Sequence, residues 1–241
     1  CLFRRDLVSG DLVIADVRPD GIRGDSYGRW PALSFDGRLQ SFWSHSADLV
    51  AGDANLFSDV FVRDHALQTT ERVSIASDGS EADKPSGDFG FIGGDATALS
   101  RDGRYVVFGS VASDLVPGPA VSEADVFLRD RLTGTTERVS VSLTGGDGND
   151  ASGLGARQVV SDDGRFVVFA SHASDLVPGD GNGTMDVFVR DRTTSTTERV
   201  SVASDGAEGD LDSGTLAVIS ADGRFVAFNS TARNLVPGDT N

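Results

Sequence analysis

Carboxylates and carboxamides at short, repeated spacings are the residues of this chain best suited to chemistry. The run Asp-x-Asn-x-x-x-Asp occurs as Asp53, Asn55, Asp59 and again as Asp180, Asn182, Asp186. Hard cations such as Ca²⁺ take roughly six to eight oxygens, and alternating Asp and Asn in a glycine-bearing loop supplies them together with backbone carbonyls. These six residues are therefore candidate calcium ligands, at a spacing unlike that of an EF-hand. The competing reading is an Asx-turn loop whose side chains cap their own backbone. Another copy of the run is broken by Pro119 and Val121, which leaves Asp125, and a further copy is cut after Asp239 and Asn241.

A second set follows the pattern Gly-x-x-x-Asp and holds Asp25, Asp83, Asp150 and Asp210. Repeat symmetry sets these carboxylates in an arc, which suits a cation or a basic peptide; local turn capping is the alternative. Catalytic candidates are weaker, and no catalytic residue is assigned. Gly24-Asp25-Ser26-Tyr27-Gly28 matches a nucleophile elbow, but that motif needs a strand before it and a helix after it. The histidines are His45, His65 and His172, and the first and last occupy equivalent repeat positions. A repeated position points to packing or a turn rather than to one asymmetric catalytic constellation.

The elements that must position these residues are repeats. Ser-x-Asp-Gly-Arg begins at Ser34, Ser100, Ser161 and Ser220, a period of about 60 residues. Its variable place holds Phe35, Arg101, Asp162 and Ala221. An apolar strand ending in Phe-x-Ser follows each copy, then a Leu-Val-Pro-Gly-like run. Asp-Val-Phe-x-Arg-Asp at Asp59, Asp125 and Asp186 and Thr-Thr-Glu-Arg-Val-Ser at Thr69, Thr135 and Thr196 complete the unit. Each unit reads as four short strands, A to D: β-branched or aromatic runs bounded by turn residues, with Asp-Gly as the A–B hairpin signal. In the second unit they span Thr97–Ser100, Tyr105–Ser110, Asp125–Arg129 and Glu137–Val141. No window has helical periodicity. The fold class is all-β, a β-propeller of four-stranded antiparallel blades with about four blades' worth of sequence.

Residues 1–241 form one propeller domain, with repeats near 30–79, 96–146 and 157–206. Residues 215–241 and 1–17 supply complementary halves of a split blade, which would close a four-bladed ring. The alternative is an excerpt of a larger ring, which the opening Cys1 and the stop at Asn241 favour.

The Ser-x-Asp-Gly-Arg, Phe-x-Ser and Asp-Val-Phe-Val-Arg-Asp runs resemble the WD40-like PD40 propeller repeat of TolB-type proteins, over nearly the whole chain. The resemblance implies protein partners and a periplasmic or secreted, bacterial setting. The arginines of the Asp-Gly-Arg and Glu-Arg-Val-Ser runs recur in every full repeat, which makes them candidates for Arg–carboxylate bonds within or between blades.

Charge narrows the partners. There are 21 basic and 37 acidic residues, a net charge of −16, and a pI near 4.4. Nucleic acid and anionic membranes would be repelled. No apolar run is long enough to span a bilayer. One cysteine excludes an internal disulfide. The B–C and D–A connections are long and acidic, with Arg18, Arg23, Arg29, Lys84, Arg157 and Arg233 as their few basic residues. The favoured function is a non-enzymatic binding or scaffold propeller that meets a basic protein partner at this face. Alternatives are a metal-dependent hydrolase using the same face and an accessory propeller to a catalytic domain outside this chain.

Overall fold

The computed structural model describes residues 1–88, 97–118, 123–156 and 158–238. Pro119, Val121, Arg157, Asp239 and Asn241 lie outside the described residues. Sixteen strands are present among those described, with no helix.

Three four-stranded antiparallel meanders form the centre of the chain. The first blade holds β3 (Gly28–Leu33), β4 (Leu39–Ser44), β5 (Asp59–Asp64) and β6 (Thr69–Arg72). The second holds β7 (Thr97–Leu99), β8 (Tyr105–Ser110), β9 (Asp125–Asp130) and β10 (Thr135–Arg138). The third holds β11 (Ser152–Gly153), β12 (Phe166–Ser171), β13 (Asp186–Asp191) and β14 (Thr196–Arg199). Flanking them are two hairpins, β1 (Phe3–Arg5) with β2 (Leu12–Ile14) and β15 (Ser213–Ile219) with β16 (Val226–Ser230).

Local chemistry explains the A–B turn. In every Ser-x-Asp-Gly-Arg run the serine hydroxyl donates to the Asp two residues on, at 2.6–2.7 Å. The same hydroxyl accepts from the amide five residues on, as Leu39 to Ser34 at 2.9 Å. The glycine sits at positive φ, from 68° at Gly37 to 72° at Gly223. Glycine is needed for packing as well. A Cβ on Gly103 would lie 2.3 Å from Leu39 Cδ1, and one on Gly164 would lie 2.2 Å from Tyr105. The second and third blades thus seat the first residue of the preceding blade's second strand, Leu39 or Tyr105, against their own turn.

The repeat arginines act as expected. Arg38, Arg104 and Arg165 bond to Asp64, Asp130 and Asp191 at 2.6–2.7 Å and tie the A–B turn to the C–D turn. Arg131 pairs with Glu71, and Arg192 with Glu137, across neighbouring blades. Stacked rings fill the blade centres: Phe42 on Phe61, Phe108 on Phe127 and Phe169 on Phe188, with centroids 5.7–6.0 Å apart.

The fourth strand is shifted from its expected place. It spans Thr135–Arg138 rather than Glu137–Val141. The ladder stops because Ser140 Oγ, not a backbone carbonyl, accepts from Val126 N at 2.9 Å. Ser74 and Ser201 do the same for Val60 and Val187.

The two end hairpins do not join into one blade; they are separate two-stranded sheets. The first does have C–D geometry, with Asp16 Oδ1 accepting from Leu2 N where later blades use a serine. The two hairpins pack on different blades. Leu2 packs with Phe42, Leu49 and Phe61 of the first blade. Gly214 of β15 lies against Val187 and Ala170 of the third. The whole second blade stands between them. Along β16 burial alternates between partial and none, whereas β4 and β8 are buried throughout.

Candidate functional site: the loop-bearing end of the blades

The meander sends all B–C and D–A connections to one end. Hydrogen bonds between them confirm it: Ala54 N donates to Glu81 Oε1 at 2.9 Å, and Gly181 N to Glu208 Oε1 at 3.0 Å. Both sets of sequence-predicted residues lie here.

The candidate calcium loops are built around an arginine. Arg72, the last residue of β6, places Nη1 3.0 Å from Asp53 Oδ1, 3.4 Å from Asp59 Oδ2 and 2.6 Å from Glu81 Oε1. Arg199 repeats this with Asp180 at 3.0 Å, Asp186 at 3.3 Å and Glu208 at 2.6 Å. Asn55 turns its amide outward as a donor, Nδ2 to Asp59 Oδ2 at 2.9 Å, while its Oδ1 caps Phe57 N. Asn182 does the same with Asp186 and Thr184. A metal site needs those oxygens converging on an open point. Here the guanidinium holds that point, and the Asn oxygens are turned to the backbone. The donor set does not fit a calcium ion. Among the described residues no group of three or more His, Cys, Asp or Glu side chains is arranged to hold a metal.

Burial and like charge shape these carboxylates. Burial, with Asp59 nearby, pushes Asp53 up to about 6 against the pull of Arg72. Burial raises Asp59 and Asp180 too. Glu81 is held low by the Ala54 amide and Arg72, and Glu208 by Arg199 and the Gly181 amide. The second blade lacks the first aspartate of the run. There burial and the neighbouring Asp147 carboxyl push Asp125 up to about 8, although Arg138 Nε lies 2.9 Å away.

The second set forms clasps between loops. Asp83 N donates to Asp114 Oδ1 at 3.0 Å, and Ser113 N donates back to Asp83 Oδ1 at 2.7 Å. Asp210 exchanges equivalent bonds with Asn234 and Arg233, and Asp25 N donates to Asp48 Oδ1 at 3.1 Å. In the third blade this place belongs to Asn149, not Asp150: Asn149 N bonds Asp175 Oδ1 and Ser174 N bonds Asn149 Oδ1. The turn glycine decides the register. Gly21, Gly79, Gly145 and Gly206 all have φ of 81–88°, and Gly145, not Gly146, is the equivalent residue. Asp150 sits one place beyond, exposed, and accepts from Ala151 N.

The histidines fall in three settings. His65 is buried, bonds Gln40 at 2.9 Å, and is pushed down to about 4 by burial, so it is neutral. His45 bonds Asp88 at 2.8 Å within an aromatic corner made with Tyr27 and Trp43. His172 is exposed. Ser26 lies in the loop before β3.

The residue that sequence reasoning missed at this end is Asn149. Arg72 and Arg199 of the Glu-Arg runs do bond carboxylates, as the repeat suggests, but that these are the carboxylates of the Asp53 and Asp180 loops is not legible locally.

No family model matches this sequence, and no curated protein matches it. Among solved structures, the chain is similar to an oligogalacturonate lyase in complex with manganese, with 10% identity and a TM-score of 0.50, covering 92% of this chain and 50% of that one. It is also similar to TolB from Acinetobacter baumannii, with 16% identity and a TM-score of 0.47, over 87% of this chain and 39% of that one. The TolB structure from Agrobacterium tumefaciens matches at 18% identity and a TM-score of 0.39, over 72% of this chain and 48% of that one. The chain therefore spans half or less of the length of these structures. Its strand order and blade stacking give it the fold of a β-propeller.

Proposed function

We propose that this chain is a non-enzymatic binding module whose loop-bearing end meets a basic protein surface. One observation supports this most: the loop end carries exposed carboxylates away from any arginine pair, whereas the exposed turn-end aspartates Asp36, Asp102 and Asp222 each stand two residues before an arginine, Arg38, Arg104 or Arg224. At the turn end Asp64, Asp130, Asp191, Glu71 and Glu137 are each bonded to an arginine. At the loop end Asp25, Asp78, Asp83, Asp150, Asp205 and Asp210 are exposed and belong to none of the ion pairs among the described residues. An unneutralised patch of one sign attracts a partner of the other and speeds encounter. The perturbed carboxylates of this end are committed to arginines or to one another, which suits structure better than proton transfer. The same charge disfavours nucleic acid. A periplasmic or secreted setting rests on the resemblance to TolB-type repeats alone. Among the described residues no helix is long and apolar enough to cross a membrane.

The test uses a decalysine peptide and fluorescence anisotropy across a salt series. Neutralising Asp78, Asp83, Asp205 and Asp210 to Asn should weaken binding at least about tenfold and flatten its salt dependence. Neutralising Asp36 and Asp222 at the other end should change it little. Equal losses from both sets would refute a localised acidic interface.

A further inference from the structure

The inner edges of the blades enclose a cleft at the turn end, opposite the acidic loops. Its volume is about 270 Å³, and it is lined by Leu33, Leu99, Val160, Arg101 and Asp162, with Phe35 at its rim. The variable place of Ser-x-Asp-Gly-Arg supplies its polar wall. Repeats agree around this place and diverge at it: Phe35, Arg101, Asp162 and Ala221 all face the cleft.

Two of these residues carry opposite charges that do not close on each other. Arg101 Nη1 lies 4.0 Å from Asp162 Oδ2, beyond hydrogen-bond reach, and both side chains are about half exposed. The other Arg–Asp pairs at this end close to 2.6–2.7 Å. Arg101 is held in place all the same: its guanidinium carbon sits 3.5 Å from the Phe35 ring centroid. Stacking fixes the guanidinium plane and leaves its N–H donors pointing outward. Backbone bonds fix the turns, Phe35 N to Arg101 O at 3.0 Å and Asp162 N to Ala221 O at 2.8 Å.

We infer that this cleft binds a free α-amino acid with an apolar side chain. The ligand's carboxylate takes the Arg101 donors, as guanidinium–carboxylate geometry favours. Its ammonium lies on Asp162. A free amino acid presents both charges a few ångströms apart, which matches the open separation of the two groups. Its side chain lies on Leu33, Leu99 and Val160, of which Leu99 and Val160 are already buried. Clefts for drug-sized ligands run from about 300 Å³ upward, so this one takes a smaller molecule. The inference does not rest on the acidic interface, which is at the other end.

The experiment is a titration of the protein with L-phenylalanine, followed by ligand-observed NMR and calorimetry. N-acetyl-L-phenylalanine and L-phenylalaninamide, each lacking one charge, serve as competitors on the wild-type protein. The expected result is saturable L-phenylalanine binding near about 1 mM, as suits so small a ligand, with each capped form at least about tenfold weaker. Arg101→Gln should erase the preference over the amide, and Asp162→Asn the preference over the acetylated form. Both side chains are half exposed, so both variants should melt with the wild type. No saturation by about 10 mM overturns the inference, as do capped forms binding as tightly as L-phenylalanine. The wild-type comparison decides even if a variant folds poorly.

Discussion

Asp125 has a second carboxyl, that of Asp147, beside it in the second blade, where the first and third blades join an aspartate and a glutamate through one arginine. Asp147 stands where Glu81 and Glu208 stand, two residues after the turn glycine. The shorter side chain and the missing first aspartate leave Asp125 buried near a like charge, with Arg138 Nε 2.9 Å away.

This pair sets a pH dependence of unusual sign. Asp125 is raised from its ordinary 3.8 to about 8, so the folded state keeps a proton that the unfolded chain loses near pH 4. Stability from this group is full below pH 4 and falls as pH rises toward 8, with a limiting slope of about 1.4 kcal/mol per pH unit. Urea unfolding at pH 5 and pH 8 should show wild type losing more stability than Asp147→Asn. Parallel losses would remove the pair as the cause.

The turn-end pairs act in the opposite direction. Arg38 and the amides of Leu67 and Ala66 hold Asp64 down to about 2. Its stabilising effect is present above pH 4 and lost as pH falls through 2. Arg38 is half exposed, so we expect about 1–2 kcal/mol after solvent screening. Asp64→Asn should flatten the acid limb of the stability curve by that amount, measured by denaturant melts from pH 5 to pH 2. An unchanged limb would show that Asp64 titrates as it does in the unfolded chain.

Arg72 is the structural substitute for a cation in its loop. Arg72→Met leaves Asp53 and Asp59 buried without a counter-charge, at a cost of about 3–5 kcal/mol. Wild type should melt at the same temperature in excess EDTA and in millimolar Ca²⁺. A site filled a hundredfold above its Kd would add about 2.7 kcal/mol, so an upward shift of several degrees with Ca²⁺ would revive the metal reading.

Two glycines separate backbone strain from packing. Gly37 and Gly164 share nearly the same positive φ, 68° and 71°, but a Cβ on Gly37 meets nothing within 4 Å. Gly37→Ala should cost about 1 kcal/mol from φ alone. Gly164→Ala must also displace Tyr105 and should cost about 1–3 kcal/mol more. Thermal melts that rank the two equally would mean that the blade interface yields freely.

The repeat, the four strands of each blade and the Asp-Gly turns were legible from the residues alone, because each depends on residues within a few positions of one another. The sequence also pointed to Arg–carboxylate bonds for Arg38, Arg104 and Arg165, and the structure supplies the partners Asp64, Asp130 and Asp191. Tertiary structure decided what lies at the centre of the Asp53 and Asp180 loops. Arg72 and Glu81 reach Asp53 from different elements, and no local pattern says which side chain fills a shared space. It also decided between Asn149 and Asp150, because Gly145 and Gly146 are the same residue type and only φ and hydrogen bonding show which one turns the chain. The end hairpins follow the same logic. Their complementary patterns suggest one blade, but Leu2 and Ala15 pack on the first blade and Ala217 and Ile219 on the third, and the two hairpins stay separate sheets.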